Sequence, residues 1–163
     1  YAPGIDTLIY SDGRKIVFEK ENKKISIPET KKKEIRGWVR KVDPSEKLID
    51  FYKILGKTLD IGAREVYRGG IGSSIIDMVE GKINLIVYNY NITREWDWGA
   101  AVPIIDALDG FICDLKGNDL NNFNRKETDR KEQYFLNGVV ASFLFKKDEI
   151  IPYIPQDLLE SRF

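Results

Sequence analysis

The stretch that most constrains the fold runs from Ile83 to Leu115. Ile83 to Tyr88 is an apolar, strand-like run, and Phe111 to Leu115 is another. Between them Trp98, Ala101, Val102, Ile105 and Leu108 recur at three- and four-residue steps, which puts them on one face of a helix. Asp109-Gly110 supplies its stop. Asp97 stands at the helix entrance, where exposed backbone N–H groups and the helix dipole favour a carboxylate. Strands and helices alternate over the second half of the chain, which predicts a layered α/β sheet.

The chemistry open to such a chain is narrowed by what it lacks. It contains no histidine and a single cysteine, Cys113. Ser-His-Asp and Cys-His nucleophilic catalysis are therefore excluded, as are imidazole acid–base work and zinc sites built on His or on several thiolates. Hydrolysis would have to rest on carboxylates, oxygen-bound hard metals, Lys or Tyr. The 26 basic and 26 acidic residues balance, so no overall field invites nucleic acid or an anionic membrane. No run of about 18 apolar residues offers a membrane span, and Tyr1-Ala2-Pro3-Gly4 has no leader pattern. With no disulfide framework, the chain is expected in the cytosol. Its 163 residues are read as one domain, with a strand hairpin over 1–28 and an α/β region over 43–163.

Taken in order, Ile5 to Tyr10 and Lys15 to Phe18 form a hairpin around Ser11-Asp12-Gly13, and Lys23 to Ile27 adds a third short strand. Glu29 to Arg36, with Lys31-Lys32-Lys33, reads as a solvated connector or strand flank. Asp43-Pro44-Ser45-Glu46 predicts a capping box, with Asp43 as N-cap and Pro44 opening a helix. Leu48, Ile49, Phe51, Tyr52 and Leu55 give that helix an apolar stripe, and it is expected to end near Gly56 or Gly62. Arg64 to Tyr67 is a short strand leading through Arg68-Gly69-Gly70-Ile71-Gly72-Ser73-Ser74 into a helix over Ile75 to Gly81. Those glycines serve either a tight strand-to-helix turn or close approach of an anion to free N–H groups. Pro103 should kink the central helix. Asn121 to Gln133 reads as a charged surface loop, Val139 to Phe145 as a buried strand, and Ile150 to Leu159 as a short irregular helix.

Trp96-Asp97-x-x-Ala100-Ala101, the apolar helix, Asp109-Gly110 and then Phe111-x-x-Asp114-x-x-Gly117 resemble the C-terminal signature of the inositol monophosphatase superfamily. Its members are Mg-dependent phosphatases of inositol phosphates, bisphosphorylated nucleotides and some sugar phosphates. Weaker similarity runs through Gly72-Ser73-Ser74 and Glu80-Gly81-Lys82. The resemblance implies Asp97 as a Mg ligand and contacts from the backbone of Gly72, Ser73 and Ser74 to substrate hydroxyls. Glu95 before Trp96-Asp97 is nearer the bisphosphate-nucleotidase branch. Many inositol-phosphate enzymes carry a glutamate where this chain has Tyr90, a departure that leaves room for a nucleotide or another sugar phosphate.

The family's other metal ligands are a glutamate and an Asp-x-x-Asp-Gly-Thr motif in the preceding domain. No such motif occurs here; neither Asp12-Gly13 nor Asp109-Gly110 is followed by its threonine. The resemblance thus covers the C-terminal half, with Tyr1-Ala2-Pro3 matching the segment that follows the metal-binding domain. It implies a portion of a phosphatase of small phosphomonoesters that is inactive alone, with water activation supplied from the other half. The alternatives are a non-catalytic ligand-binding or assembly module of the same fold, and a purely structural Trp96-Asp97 cap. A sheet cut between halves exposes an edge, so a homodimer or other association across that edge is expected.

Overall fold

The structure is a computed structural model and describes residues 7–11, 16–27, 33–40, 45–88, 98–120 and 138–160. Its strands and helices are β1 (Thr7–Ser11), β2 (Ile16–Lys20), β3 (Lys23–Lys24), β4 (Glu34–Arg40), α1 (Glu46–Thr58), β5 (Gly62–Arg68), α2 (Ile71–Val79), β6 (Ile86–Tyr88), α3 (Ala101–Asp106), β7 (Phe111–Cys113), β8 (Val139–Ser142), α4 (Lys147–Ile150), a 3-10 turn over Ile151–Tyr153, and α5 (Gln156–Glu160).

β4 and β5 pair in parallel, joined by α1 as a crossover. β6 and β7 flank β8 antiparallel. A parallel bridge between Gly37 and Leu85 sets the two groups side by side, with Trp38 N donating to Leu85 O at 2.9 Å and Asn84 N to Arg36 O at 3.1 Å. The strand order is therefore β5, β4, β6, β8, β7. β1, β2 and β3 form a separate antiparallel sheet, as the hairpin reading anticipates.

Alternation along β4 shows how the layers arise. Ile35 and Val39 point into a core with Leu48, Phe51, Tyr52 and Leu55 of α1, Ile150 and Leu158. Trp38 points the other way, into a core with Ile75 and Met78 of α2, Ile104 and Ile105 of α3, and Phe18 of β2. Helices thus cover both faces of the sheet, which is the expected layered α/β architecture. No helix among the described residues is long and apolar enough to cross a membrane.

Helix ends differ from the sequence reading in instructive ways. The cap of α1 is Ser45, whose Oγ accepts from Leu48 N at 3.3 Å, and not Asp43. Pro44 therefore falls before the cap; Asp43 and Pro44 lie outside the described residues. Gly56 is inside α1, because a Cβ there would meet Ala63 Cβ at 2.8 Å and Ile61 O at 3.0 Å. That glycine serves close packing on β5, not termination. The helix runs to Thr58, between the two glycines, with Leu59 as C-cap, and Asp60 closes it with φ of 53° and bonds from Ile61 N to Gly56 O and from Asp60 N to Lys57 O. Asp109, with φ of 54°, closes the turn after α3 in the same Schellman pattern, through Gly110 N to Ile105 O and Asp109 N to Asp106 O. The stop was expected at Asp109-Gly110, but the aspartate takes the left-handed conformation. Gly110 is needed for approach to β8, where a Cβ would lie 2.6 Å from Ser142 O.

Pro103 sits in the first turn of α3, where its missing N–H has no intrahelical partner to lose. Residues 98 and 99 are helical and Ala100 is a turn, so the winding is interrupted where a residue-103 donor would have reached the Gly99 carbonyl. β6, β7 and β8 are shorter than their apolar runs. The predicted loop over 121–133 lies outside the described residues.

Candidate functional site

β4, β5 and β6 are parallel, so their C-terminal ends open on one side of the sheet, the usual place for a ligand in an α/β fold. α2 starts there, immediately after β5. It begins at Ile71 with Gly70 as cap, four residues earlier than the sequence predicts, so Gly72, Ser73 and Ser74 lie in its first turn. A Cβ added at Gly69, Gly70 or Gly72 would meet nothing within 4 Å. No internal packing demands these glycines, and the space before the helix entrance is open. Ser73 Oγ and Ser74 Oγ both donate to Gly70 O, at 2.8 and 3.0 Å. With the hydroxyl protons turned back onto that carbonyl, the outward donors are the first-turn backbone N–H groups ahead of Ser74, whose own N–H donates to Gly70 O at 3.3 Å.

The charged groups toward the far end of α2 pair with Arg68 before the helix, Lys82 after it and Lys20 of β2. Arg68 Nε donates to Asp77 Oδ2, and Lys82 Nζ approaches Asp77 Oδ1 at 3.4 Å. Lys82 also pairs with Glu80, which Lys20 of β2 reaches at 3.3 Å. Burial pushes the Glu80 carboxyl upward, but hydrogen bonds and charge from Lys82 and Lys20 outweigh it and hold it below the usual carboxylate range. These pairs tie the small sheet and β5 to α2.

At the end of β6, Tyr88 stacks on Trp38 with ring centroids 5.4 Å apart and planes at 29°. Trp98 meets the same tyrosine edge-on, at 6.2 Å and 78°. Trp38 and Trp98 are fully buried, and the Trp38 indole N–H has no acceptor among the described residues. Sequence reasoning placed Trp98 on a helix face and Tyr88 in a strand, but nothing in local spacing pointed to Trp38 as their shared partner.

Asp97, the candidate metal ligand, lies outside the described residues, as do Tyr90, Glu95 and Trp96. The other carboxylates of the signature have structural work. Asp114 organises the turn after β7, its Oδ1 accepting from Lys116 N at 2.9 Å and Asn118 N at 2.8 Å, and its Oδ2 from Asn118 Nδ2 at 2.8 Å. Gly117, with φ of +86°, completes that turn. Among the described residues there is no group of three His, Cys, Asp or Glu side chains that could hold a metal ion. Cys113 is buried, and desolvation pushes its thiol up to about 12.

No protein-family profile and no curated protein matches the chain. Solved structures do. A Pyrococcus horikoshii protein described as having similarities to inositol-1 monophosphatase matches with a TM-score of 0.58 and 18% identity, over 96% of this chain and 56% of its own. Inositol monophosphatase II from Staphylococcus aureus matches with a TM-score of 0.58 and 15% identity, over 98% of this chain and 53% of its own. Its 2′-AMP-bound form matches at 0.54 and 14%, over 98% and 54%. The chain spans about half the length of the structures it matches. It therefore has the fold of roughly half of an inositol-monophosphatase-type protein.

Proposed function

We propose that this chain is the C-terminal portion of a Mg-dependent phosphatase that hydrolyses a small phosphomonoester, an inositol monophosphate or a bisphosphorylated nucleotide. The observation that carries the reading is a coincidence of two independent facts. The Trp96-Asp97-x-x-Ala100-Ala101 signature occurs in a chain whose fold matches half of such proteins over nearly all its own length. One of those proteins has been solved with inositol monophosphate and with 2′-AMP, so a sugar-like and a nucleotide ligand suit one fold.

In this reading Asp97 contributes one metal ligand, and the first turn of α2 presents the backbone N–H groups of Gly72 and Ser73 to the substrate's hydroxyls, the Ser74 N–H being held by Gly70 O. Mg, when bound, would supply charge stabilisation at the phosphate. The remaining carboxylates and the water-activating group come from outside this chain, which has no Asp-x-x-Asp-Gly-Thr. A lone buried thiol suits a reducing compartment such as the cytosol.

The test is Mg-dependent phosphate release from inositol 1-phosphate, 3′-phosphoadenosine 5′-phosphate and fructose 1,6-bisphosphate. The chain is assayed alone and joined to the first half of a structurally matched enzyme. Release only from the joined protein, lost in Asp97→Asn, is the expected result. A folded joined protein with no Mg-dependent release would favour a non-catalytic module of the same fold.

We place association of two copies at the outer edge of β5, which has no strand beside it among the described residues. Light scattering should give twice the 18.8 kDa chain mass; a monomer at high concentration would count against it.

A further inference from the structure

We infer that Arg36 and Arg64 form an anion site, suited to a phosphate group, near the N-terminal ends of β4 and β5. The two residues are direct partners in the parallel ladder, so their side chains stand on one face of strands about 4.8 Å apart. That face is the α2 side. Trp38, two residues beyond Arg36, and Val66, two beyond Arg64, pack in the core that holds α2. Both guanidiniums share one carboxylate: Glu34 Oε1 lies 3.2 Å from Arg64 Nε and 3.8 Å from Arg36 Nε. Two positive charges thus face one negative charge.

Arg36 supplies a second observation. Its side chain is only 18% exposed, and its Nε is buried with no hydrogen-bond acceptor among the described residues. At 3.8 Å Glu34 is an ion pair with it but not a hydrogen bond. Buried donors are rarely left unpaired, and an unmet charged one is the more costly. An anion held by the outer fork of the guanidinium brings the counter-charge that Glu34 supplies only in part. That planar fork matches the oxygens of phosphate, and two forks side by side can hold one tetrahedral anion. Arg64 is 58% exposed and Glu34 38%, so an anion reaches the pair from solvent. The pair is separate from the first turn of α2: each arginine lies four residues, roughly 13 Å of strand, before the last residue of its strand. The site depends on neither Asp97 nor the activity proposed above.

Inorganic phosphate is the probe, titrated into the full isotope-labelled chain at an ionic strength held constant with chloride. The arginine Nε–H resonances in NMR spectra are the readout. Saturable shifts are expected at Arg36 and Arg64. Arg64→Gln should weaken phosphate about tenfold or more, one charge-assisted contact being lost; Arg64→Met replaces it should that variant fail to melt cooperatively. Glu34→Gln should bind about fivefold tighter, because the charge that repels the anion is gone. A triad that only braces the strands would give no such gain. Methyl phosphate in a parallel titration distinguishes the sources: equal or tighter binding assigns an esterified phosphate, weaker binding the free ion. Shifts that do not saturate, an unchanged affinity in the Arg64 variant, or no gain in Glu34→Gln would overturn the site.

Discussion

Gly37→Ala is expected to destabilise the protein by about 3 kcal/mol, the upper end of the usual cost of overpacking a core. A Cβ at this position of β4 would lie 2.4 to 2.5 Å from three atoms of the Tyr52 ring. The ring has nowhere to go. Its hydroxyl donates to Trp38 O at 2.8 Å and accepts from Val87 N at 3.3 Å, so it is pinned against both β4 and β6. Burial pushes the Tyr52 phenol well above its ordinary range, and the group stays a neutral donor in the folded state. In a chain of this size the loss should lower the melting temperature by roughly 6–12 °C. The mechanism makes a second, sharper demand. Once Tyr52→Ala has removed the ring, adding Gly37→Ala should cost far less than it does in the wild type, because neighbouring sites couple through a shared contact. Additive losses in that cycle would show that the ring is not what excludes the methyl group.

Asn84→Leu should cost about 2–4 kcal/mol, because two backbone groups lose their partners at once. Asn84 is fully buried just before β6. Its Oδ1 accepts from Arg36 N and its Nδ2 donates to Glu34 O, both at 2.8 Å. The side chain thus extends the parallel pairing beyond the point where β6 can supply it. Its own carbonyl accepts from Ser142 Oγ at 2.7 Å, and that oxygen accepts from Leu144 N and Phe145 N. One residue thereby stitches β4 to the exit of β8. Asn84→Asp provides the control with a sign. Burial should raise the folded-state pKa of the new carboxyl above its unfolded value. The variant should then be most stable at acid pH, where the protonated group can both donate and accept as asparagine does. It should lose stability as pH rises through the raised pKa. Denaturant melts at several pH values check this; a variant that gains stability with rising pH relative to wild type would refute the assignment.

The comparison of these positions shows what local pattern can and cannot reveal. The apolar stripe of α1, the hairpin of β1 and β2 and the stop at Asp109-Gly110 were legible because each depends on residues close in sequence, whose spacing records which face is buried; β4 was not, since Glu34 to Arg36 read as part of a charged connector or strand flank yet form its first residues. The chemical limits set by the absence of histidine follow from composition alone, and the signature around Asp97 is a local string. Gly56 illustrates the failure. By sequence it reads as a helix stop, yet it is an interior glycine required by Ala63 across the crossover. Ser45 wins the cap over Asp43 by a margin of two residues, at the scale where helix boundaries are least determined by local preference. α2 starts early because Ile71 finds a place in the core, a gain no window around it contains. The same holds for Asn84 and Arg36, for Gly37 and Tyr52, and for Trp38, Tyr88 and Trp98. The chain by itself determined most element types, though not β4, and the layered class and chemical limits, because those rest on short-range periodicity and residue chemistry. The tertiary structure alone decided which strands adjoin, which glycines are sterically required and which rings meet behind the candidate site. Those depend on contacts between residues tens of positions apart, whose packing energy overrides local preference.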